Sequence, residues 1–377
     1  MHFSKDFNYS YWETKQYFQT FDLIVIGSGI VGLSTAISFK ELHPKAKILV
    51  LEKGILPNGA STKNAGFACF GSAGELLDDL ARMPADTVWE TVLMRWQGLQ
   101  LLRNRLKDKN MNYRSYGGFE LFEDSAGFQN CKENIHFLNA EIKKTLGVSN
   151  CYSDVTKEQH FFKSAKGVIL NFFEGQIDTA LMMKNLLLFA RKKGIEVLNN
   201  ITISEIKEQN NYVALESSIG EFRAGKVVVA TNGFAKELLN IQDIKPARAQ
   251  VLITKPIPAL RIKGTFHFSQ GYYYFRNIDN RILFGGGRNL DIKGETTSDQ
   301  GLNLNIQRQL DMLLKNMILP GVPFEVEQRW SGIMGVGDEK KPIIRGVGKN
   351  VLAAVRMGGM GIAIGSMVGE KAARAIS

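Results

Sequence analysis

The feature that most narrows what this chain can become is an apolar run that stops on glycines and restarts as a helix within the first fifty residues. Phe21 to Ile26 reads FDLIVI and is followed by Gly27-Ser28-Gly29-Ile30-Val31-Gly32, after which Leu33, Ala36 and Ile37 continue a helical spacing begun at Ile30. A second buried-strand pattern, KILVL at Lys47 to Leu51, runs into Glu52 and Lys53. Strand, tight turn, helix and strand in that order make a β-α-β unit with a parallel pair. The G-x-G-x-x-G spacing across its first turn is the arrangement that brings a helix N-terminus onto a pyrophosphate. Gly27 permits the turn, Gly29 lets backbone approach the phosphates, and Gly32 lets helix and strand pack closely. In a chain with 37 glycines the spacing alone is weak. The strand before it, the helix after it and Glu52, placed to accept hydrogen bonds from a ribose hydroxyl, carry the reading.

A chain of 377 residues, 44% of them hydrophobic, can bury a sizeable core, and its length favours two domains. The net charge of +10 would suit acidic partners, but the basic residues are dispersed, which argues against a nucleic-acid surface. Cys69, Cys131 and Cys151 are too few for a disulfide framework, so a reducing cytoplasm is expected. With five histidines and no pair at a metal-ligand spacing, no metal site is expected. The N-terminal residues, among them His2, Lys5, Asp6, Trp12 and Glu13, lack the apolar run of a signal peptide. The apolar stretches Phe21 to Ile37 and Val351 to Gly369 are interrupted by glycines and read as cofactor loops rather than membrane spans.

Residues 59 to 72 (GASTKNAGFACFGS) are small and turn-prone, a composition suited to packing on a ligand. Helix is expected from Glu75 to Lys109, Phe128 to Leu146, Thr179 to Lys193 and Leu302 to Met317, and from the turn at 358 to 361 through Ile376. Strands are expected at Gly118 to Glu123, Glu196 to Leu198, Ile201 to Ile206, Tyr212 to Glu216, Lys226 to Ala230, Ala249 to Thr254, Gly271 to Phe275, Arg281 to Phe284, Trp330 to Gly335 and Val351 to Ala354. Three features favour a flavin over a nicotinamide dinucleotide. The small-residue segment takes the place of a further β-α-β repeat. KVVVATNG at 226 to 233 returns to a buried strand and turn, and Gly358-Gly359-Met360-Gly361-Ile362 opens a second helix aimed at bound cofactor.

The order of GSGIVG, Glu52, GASTKNAGFA, GQIDTALMMKNLL at 175 to 187, VVVATNGF, ILFGGGR and GGMGIAIG resembles the D-amino-acid oxidase superfamily of FAD-dependent oxidoreductases. Within it the chain is most similar to the glycine oxidase, sarcosine oxidase and γ-glutamylputrescine oxidase branch. The resemblance implies an α/β (α+β) fold of glutathione-reductase-2-like type: a Rossmann-type FAD domain discontinuous in sequence (1–110, 165–240 and 325–377) and a mostly antiparallel substrate domain (111–164 and 241–324). It puts Gly27, Ser28, Gly29, Ile30, Val31 and Gly32 at the pyrophosphate, and Glu52 and Lys53 at the adenosine ribose. Ser61, Thr62, Lys63, Asn64, Ala65 and Gly66 should lie along the phosphates and flavin edge, Ile203 at adenine, Thr231, Asn232 and Gly233 beside the cofactor, and Gly359, Met360, Gly361 and Ile362 at the pyrimidine end of the ring.

The implied reaction is oxidation of a carbon–nitrogen bond of a small amine or amino acid by hydride transfer to flavin N5, with oxygen as acceptor. Two alternatives stay open: a dehydrogenase delivering electrons to a quinone or protein, and an oxidase of a modified RNA base. The amino-acid-oxidising relatives bind the substrate carboxylate with an arginine at the place matched by Met334, so the resemblance leaves two options: Arg276 substitutes, or the substrate lacks that carboxylate. Tyr273 matches a substrate-contacting tyrosine, with Phe275 on the same face. Lys63 is a candidate cation for reduced flavin or oxygen activation. No cysteine lies where sarcosine oxidases link to flavin, so noncovalent FAD is expected. Oligomeric state is not set.

Overall fold

The computed structural model of the chain describes residues 8–158, 162 and 165–377, so His2, Lys5 and Asp6 lie outside the described residues. The strand Thr20–Ile26 is flanked by parallel partners on both sides, Ile48–Leu51 and Gly220–Val229. Strands covered on both faces must be apolar at nearly every position, which is why FDLIVI, ILVL and KVVV carry no polar alternation at their buried ends. The sheet continues to Glu196–Leu198 on one side and to Val351–Val355 and Ile343–Gly346 on the other. Ile203–Glu208 and Val213–Ser217 extend it as an antiparallel meander off Gly220–Val229.

Leu23, Val25, Leu352 and Ala354 point to one face of this sheet, where Leu33, Ile37 and Val368 bring in the helices Ile30–Leu42 and Gly361–Ile376. Gly365 faces Ile30 and Gly369 faces Ser34, so the two helices run parallel and in register. The approach is too close for side chains: a Cβ on Gly369 would stand 2.6 Å from Ser34 Cβ and 2.7 Å from the Thr35 amide nitrogen. With residue 365 level with residue 30, the C-terminal helix begins about 6 Å, roughly one turn, ahead of its partner. Phe21 to Ile37 and Val351 to Gly369 are thus each a strand, a turn and a helix. No helix among the described residues is long and apolar enough to cross a membrane.

The second eight-stranded sheet follows the order Val326–Val336, Lys245–Thr254, Arg281–Gly286, Tyr273–Ile278, Thr265–Phe268, Gly118–Phe122, Gly167–Asn171, Tyr152–Asp154. Every pair is antiparallel except Thr265–Phe268 with Gly118–Phe122. Alternation directs Leu252, Phe266, Phe268, Tyr273, Phe275 and Phe284 onto Ile306 and Leu310 of the helix Leu304–Leu313. The opposite face looks toward residues 63–74.

Several elements depart from the sequence reading. The helix expected over 75 to 109 is two helices, Ala73–Leu80 and Ala85–Leu106, because Pro84 caps the second and cannot continue the first. Residues 59 to 72 hold a helical turn at Ala60–Lys63 and a strand Phe67–Ala68 paired with Gly175–Gln176. Gly167–Asn171 and Val326–Val336, assigned from sequence to the cofactor domain, both join the second sheet. Their pairing is long-range, and periodicity within a strand says nothing of which sheet it enters.

The helix contact gives a direct stability expectation. Gly369→Ala should lower unfolding stability by about 1–3 kcal/mol through overpacking, read as a fall in the urea midpoint at unchanged m-value.

Candidate active site

At the first turn, Gly27 has φ +104° and a Cβ there would lie 2.9 Å from Ala230 O, while one on Gly32 would lie 1.9 Å from Gly27 O. Only glycine fits at either position. Glu52 closes the turn from the side: its carboxylate accepts from the Ser28 amide at 3.0 Å, the Ser28 hydroxyl at 2.8 Å and the Gly54 amide at 3.0 Å. The helix that follows has Gly29 as N-cap with no side-chain cap, and Ser61 Oγ accepts its first amide, Ile30, at 3.0 Å. Gly29, Val31 and Ser61 therefore stand together at an electropositive helix end. Ile201 donates its amide to Glu52 O at 2.9 Å, which carries the chain to Ile203 past the same corner. Lys53 turns outward to Glu237 at 3.7 Å.

Thr231 sits beside this turn, and its buried Oγ1 has no hydrogen-bond partner. A buried hydroxyl left in that state calls for a polar group of another molecule. Asn232 ties the turn to the C-terminal strand, its Oδ1 accepting from the amides of Arg356 at 3.1 Å and Met357 at 3.2 Å. Beyond them the helix Gly361–Ile376 starts at Met360 with no side-chain cap, so the amides of Gly361 and Ile362 have no partner within the helix. Gly233 packs under Met334 O, and the Met334 thioether lies 3.5 Å from where a Cβ on Gly359 would stand. Bare helix N-termini one turn apart, an unpartnered buried hydroxyl and a glycine cradle fit an elongated dinucleotide.

Residues 63–74 form a clasp that crosses the second sheet strand by strand. Trp330 Nε1 donates to Lys63 O at 3.0 Å, Ala65 packs on Val251 and Leu283, and Arg276 Nε donates to Ala65 O. Phe67 meets Tyr274 edge to face at 5.7 Å, and Cys69 Sγ lies 3.8 Å from Thr265 Oγ1. The amides of Phe70 and Gly71 donate to Glu174 at 2.9 and 3.0 Å, and that of Gly74 to Glu120 at 2.8 Å. Within the clasp Asn64 accepts from the Gly66 amide at 2.8 Å and from Thr179 Oγ1 at 3.0 Å, and Thr62 Oγ1 donates to Pro57 O at 2.7 Å. Asn64 and Thr62 thereby shape the backbone.

Two expectations on the sheet are corrected by its register. Tyr273 belongs to the face packed on Ile306, stacked on Phe268 at 5.1 Å, with Phe275 beside it. Tyr274, not Tyr273, faces the clasp. It lies in a cross-strand row running Glu120, His267, Tyr274, Gly285, Val251, Trp330. Burial pushes the Tyr274 phenol up to about 12, and His267 Nδ1 is buried without a partner. Arg276 does face the clasp, but not at the place of Met334. It pairs across the sheet with Leu283, Ile253 and Gln328 in turn, so the two side chains are about 14 Å apart across the strands and about 20 Å along them. Sequence reasoning missed Tyr274, Glu120 and Glu174. Strand alternation sets 272, 274 and 276 against 273 and 275, but only the fold tells which set looks inward.

A profile of the family described as FAD dependent oxidoreductase (DAO) matches residues 22–375. Sarcosine oxidase subunit beta of Rhizobium meliloti is 23% identical over 336 residues, 86% of this chain and 76% of that protein. Gamma-glutamylputrescine oxidoreductase of Escherichia coli is 24% identical over 329 residues, 83% and 73% of the two chains. Among solved structures, L-proline dehydrogenase from P. horikoshii superposes with a TM-score of 0.76 at 18% identity, covering 95% of this chain and 94% of its own.

Burial drives the Glu174 carboxyl from 4.5 to about 7, against the opposing pull of the Gly71 amide, the Cys69 thiol and the Phe70 amide. Because the folded value lies above the unfolded one, the stability Glu174 contributes is complete below its unfolded value and is lost as pH rises through the folded one. Relative to Glu174→Gln, whose amide oxygen can accept the same two N–H groups, the wild type should lose up to about 3 kcal/mol between pH 5 and 8, measured by urea unfolding.

Proposed function

Because the chain belongs to the DAO family of FAD-dependent oxidoreductases, we propose that it holds FAD noncovalently and oxidises the carbon–nitrogen bond of an amine whose reacting carbon bears no carboxylate, with oxygen as electron acceptor. The observation that carries the substrate class is the Met334–Gly359 contact. A carboxylate clamp needs a guanidinium fork at that place, and a thioether against a glycine supplies no donor. FAD, when bound, would supply a two-electron acceptor for hydride from the carbon beside the amine nitrogen, leaving an imine open to hydrolysis.

The chain's own residues have three tasks. The first-turn amides of Gly361 and Ile362 hold negative charge at the flavin ring, and the N-terminal end of Ile30–Leu42 holds it at the pyrophosphate. Lys63, its carbonyl fixed by Trp330, makes no ion pair among the described residues and adds a positive charge beside the clasp. Phe67, Tyr274, Trp330 and Met334 exclude water and orient an uncharged amine. Noncovalent attachment is supported by the cysteines. Cys131 and Cys151 are packed in a separate core with their thiols pushed up, Cys131 to about 12, and Cys69 lies by Thr265 at the far end of the clasp.

Anaerobic titration of the yellow protein tests the reading. Amines without an α-carboxylate should bleach the flavin, the matching amino acids should not, and air should restore the colour with release of peroxide. Met334→Arg should shift the preference toward amino acids by about tenfold or more, a difference of about 1.4 kcal/mol. Equal bleaching by amino acids in the wild type would remove the substrate class, and a protein that takes up no FAD would remove the whole reading. Glu52→Ala, which removes the carboxylate from the first turn, should weaken FAD binding by about tenfold or more in a fluorescence titration of the apoprotein.

A further inference from the structure

Behind the clasp, on the Arg276 side, lies a half-open pocket of about 170 Å³ lined by Asn112, Arg114, Gln176, Asp178, Arg276 and Asp279 among others. That volume is on the order of five waters, or a molecule of about as many heavy atoms. Arg276 is only 3% exposed, yet no carboxylate of the described residues comes within 4.0 Å of it. Among the described residues its side chain makes one hydrogen bond, from Nε to Ala65 O. Burial holds the guanidinium down to about 10, which still leaves it charged at neutral pH, and the charges that pull against burial are those of Asp178 and Asp279. A buried cation with no carboxylate in contact is costly, so a pocket along its side has a chemical preference.

The opposite requirement is built into the same wall. Gln176 is 5% exposed, and its Nε2 donates to Asn277 O at 3.0 Å, which fixes the amide so that Oε1 is the free end. That Oε1 is buried and has no partner. Asp178 gives one oxygen to the Leu181 amide at 2.8 Å as N-cap of the helix Thr179–Lys192. Asp279 is exposed at the rim, as is Arg114, whose backbone is bridged to Gln176 at 2.9 and 3.0 Å. The two guanidinium-bearing residues Arg114 and Arg276 and the two carboxylate-bearing residues Asp178 and Asp279 line one small space.

We propose that this pocket binds a small α-amino acid as its zwitterion, with the carboxylate on Arg276 and Arg114 and the ammonium on Asp178 and Asp279. The inference goes beyond the catalytic reading and does not rest on it, because Arg276 and Met334 are about 14 Å apart across the strands and about 20 Å along them. Its occupant touches the guanidinium that grips Ala65, so the site is placed to bias the flavin-side clasp.

The test is calorimetric titration of the holoprotein with its flavin first reduced by dithionite, so that no amine can be oxidised. Glycine or L-alanine should bind with a Kd of about 1 mM or tighter, and acetate and ethylamine at least about tenfold more weakly. Arg114→Ala and Asp279→Asn, each confirmed as folded by its thermal midpoint, should each weaken alanine binding by about tenfold. An excess of the amine that bleaches the oxidised flavin should leave alanine binding unchanged. Alanine binding that survives both substitutions, is displaced by that amine, or is absent from the wild type overturns the proposal, as does acetate binding as tightly as alanine. A protein that carries no flavin would sink the catalytic reading while leaving this titration intact.

Discussion

Two parallel helices packed through Gly365 and Gly369 deliver their N-termini to one end of a parallel sheet, about one turn apart. Each such end carries roughly half a positive charge and several amides without intrahelical partners. Ordinarily a protein answers with a capping side chain or an acidic residue in the first turn. Neither N-cap residue, Gly29 or Met360, supplies a side-chain cap, and no acidic residue stands in either first turn; Ser61 Oγ takes the Ile30 amide alone. The positive field is left for something that is not protein. The Glu52 carboxylate at that corner is held aside by the Ser28 and Gly54 amides, where it can meet hydroxyls rather than phosphate.

The clasp at 63–74 solves the companion problem of fixing a thin segment against the second sheet. It is fastened mainly through its backbone: carbonyls of Lys63 and Ala65 accept from Trp330 and Arg276, and amides of Phe70, Gly71 and Gly74 donate to buried carboxylates. A segment held this way can keep small side chains, which accounts for the residue choice in GASTKNAGFACFGS. The cost falls on Glu174 and Glu120, both buried and both with carboxyls pushed up by burial.

What could be read from the sequence follows how local each feature is. The glycine turn, Glu52 and the late glycine turn are encoded within a few residues of themselves, and the structure brings all of them to one corner. Tyr273 was misread because alternation divides a strand into two sets without naming the inner one, and both sets here are aromatic. Val326–Val336 was placed in the other domain because its partner, Lys245–Thr254, is some eighty residues away. Glu174 and Glu120 carry no local signal at all. Each is a lone acid beside apolar neighbours, and its role exists only once Phe70, Gly71 and Gly74 are laid against it.

The distribution of positive charge on the clasp-facing side of the second sheet bears on how an amine would enter. Arg276 sits behind the clasp, while the region around Met334 presents a thioether, and Phe67, Tyr274 and Trp330 complete an apolar wall. An ammonium brought against that wall loses hydration without gaining a carboxylate, so burial favours its neutral form and lowers its proton affinity. Only the neutral amine can release hydride from the adjacent carbon, because the nitrogen lone pair must follow the electrons. On the proposed reading, the same apolar surface that disfavours a carboxylate would also favour the neutral amine, with no need of a dedicated base touching the nitrogen.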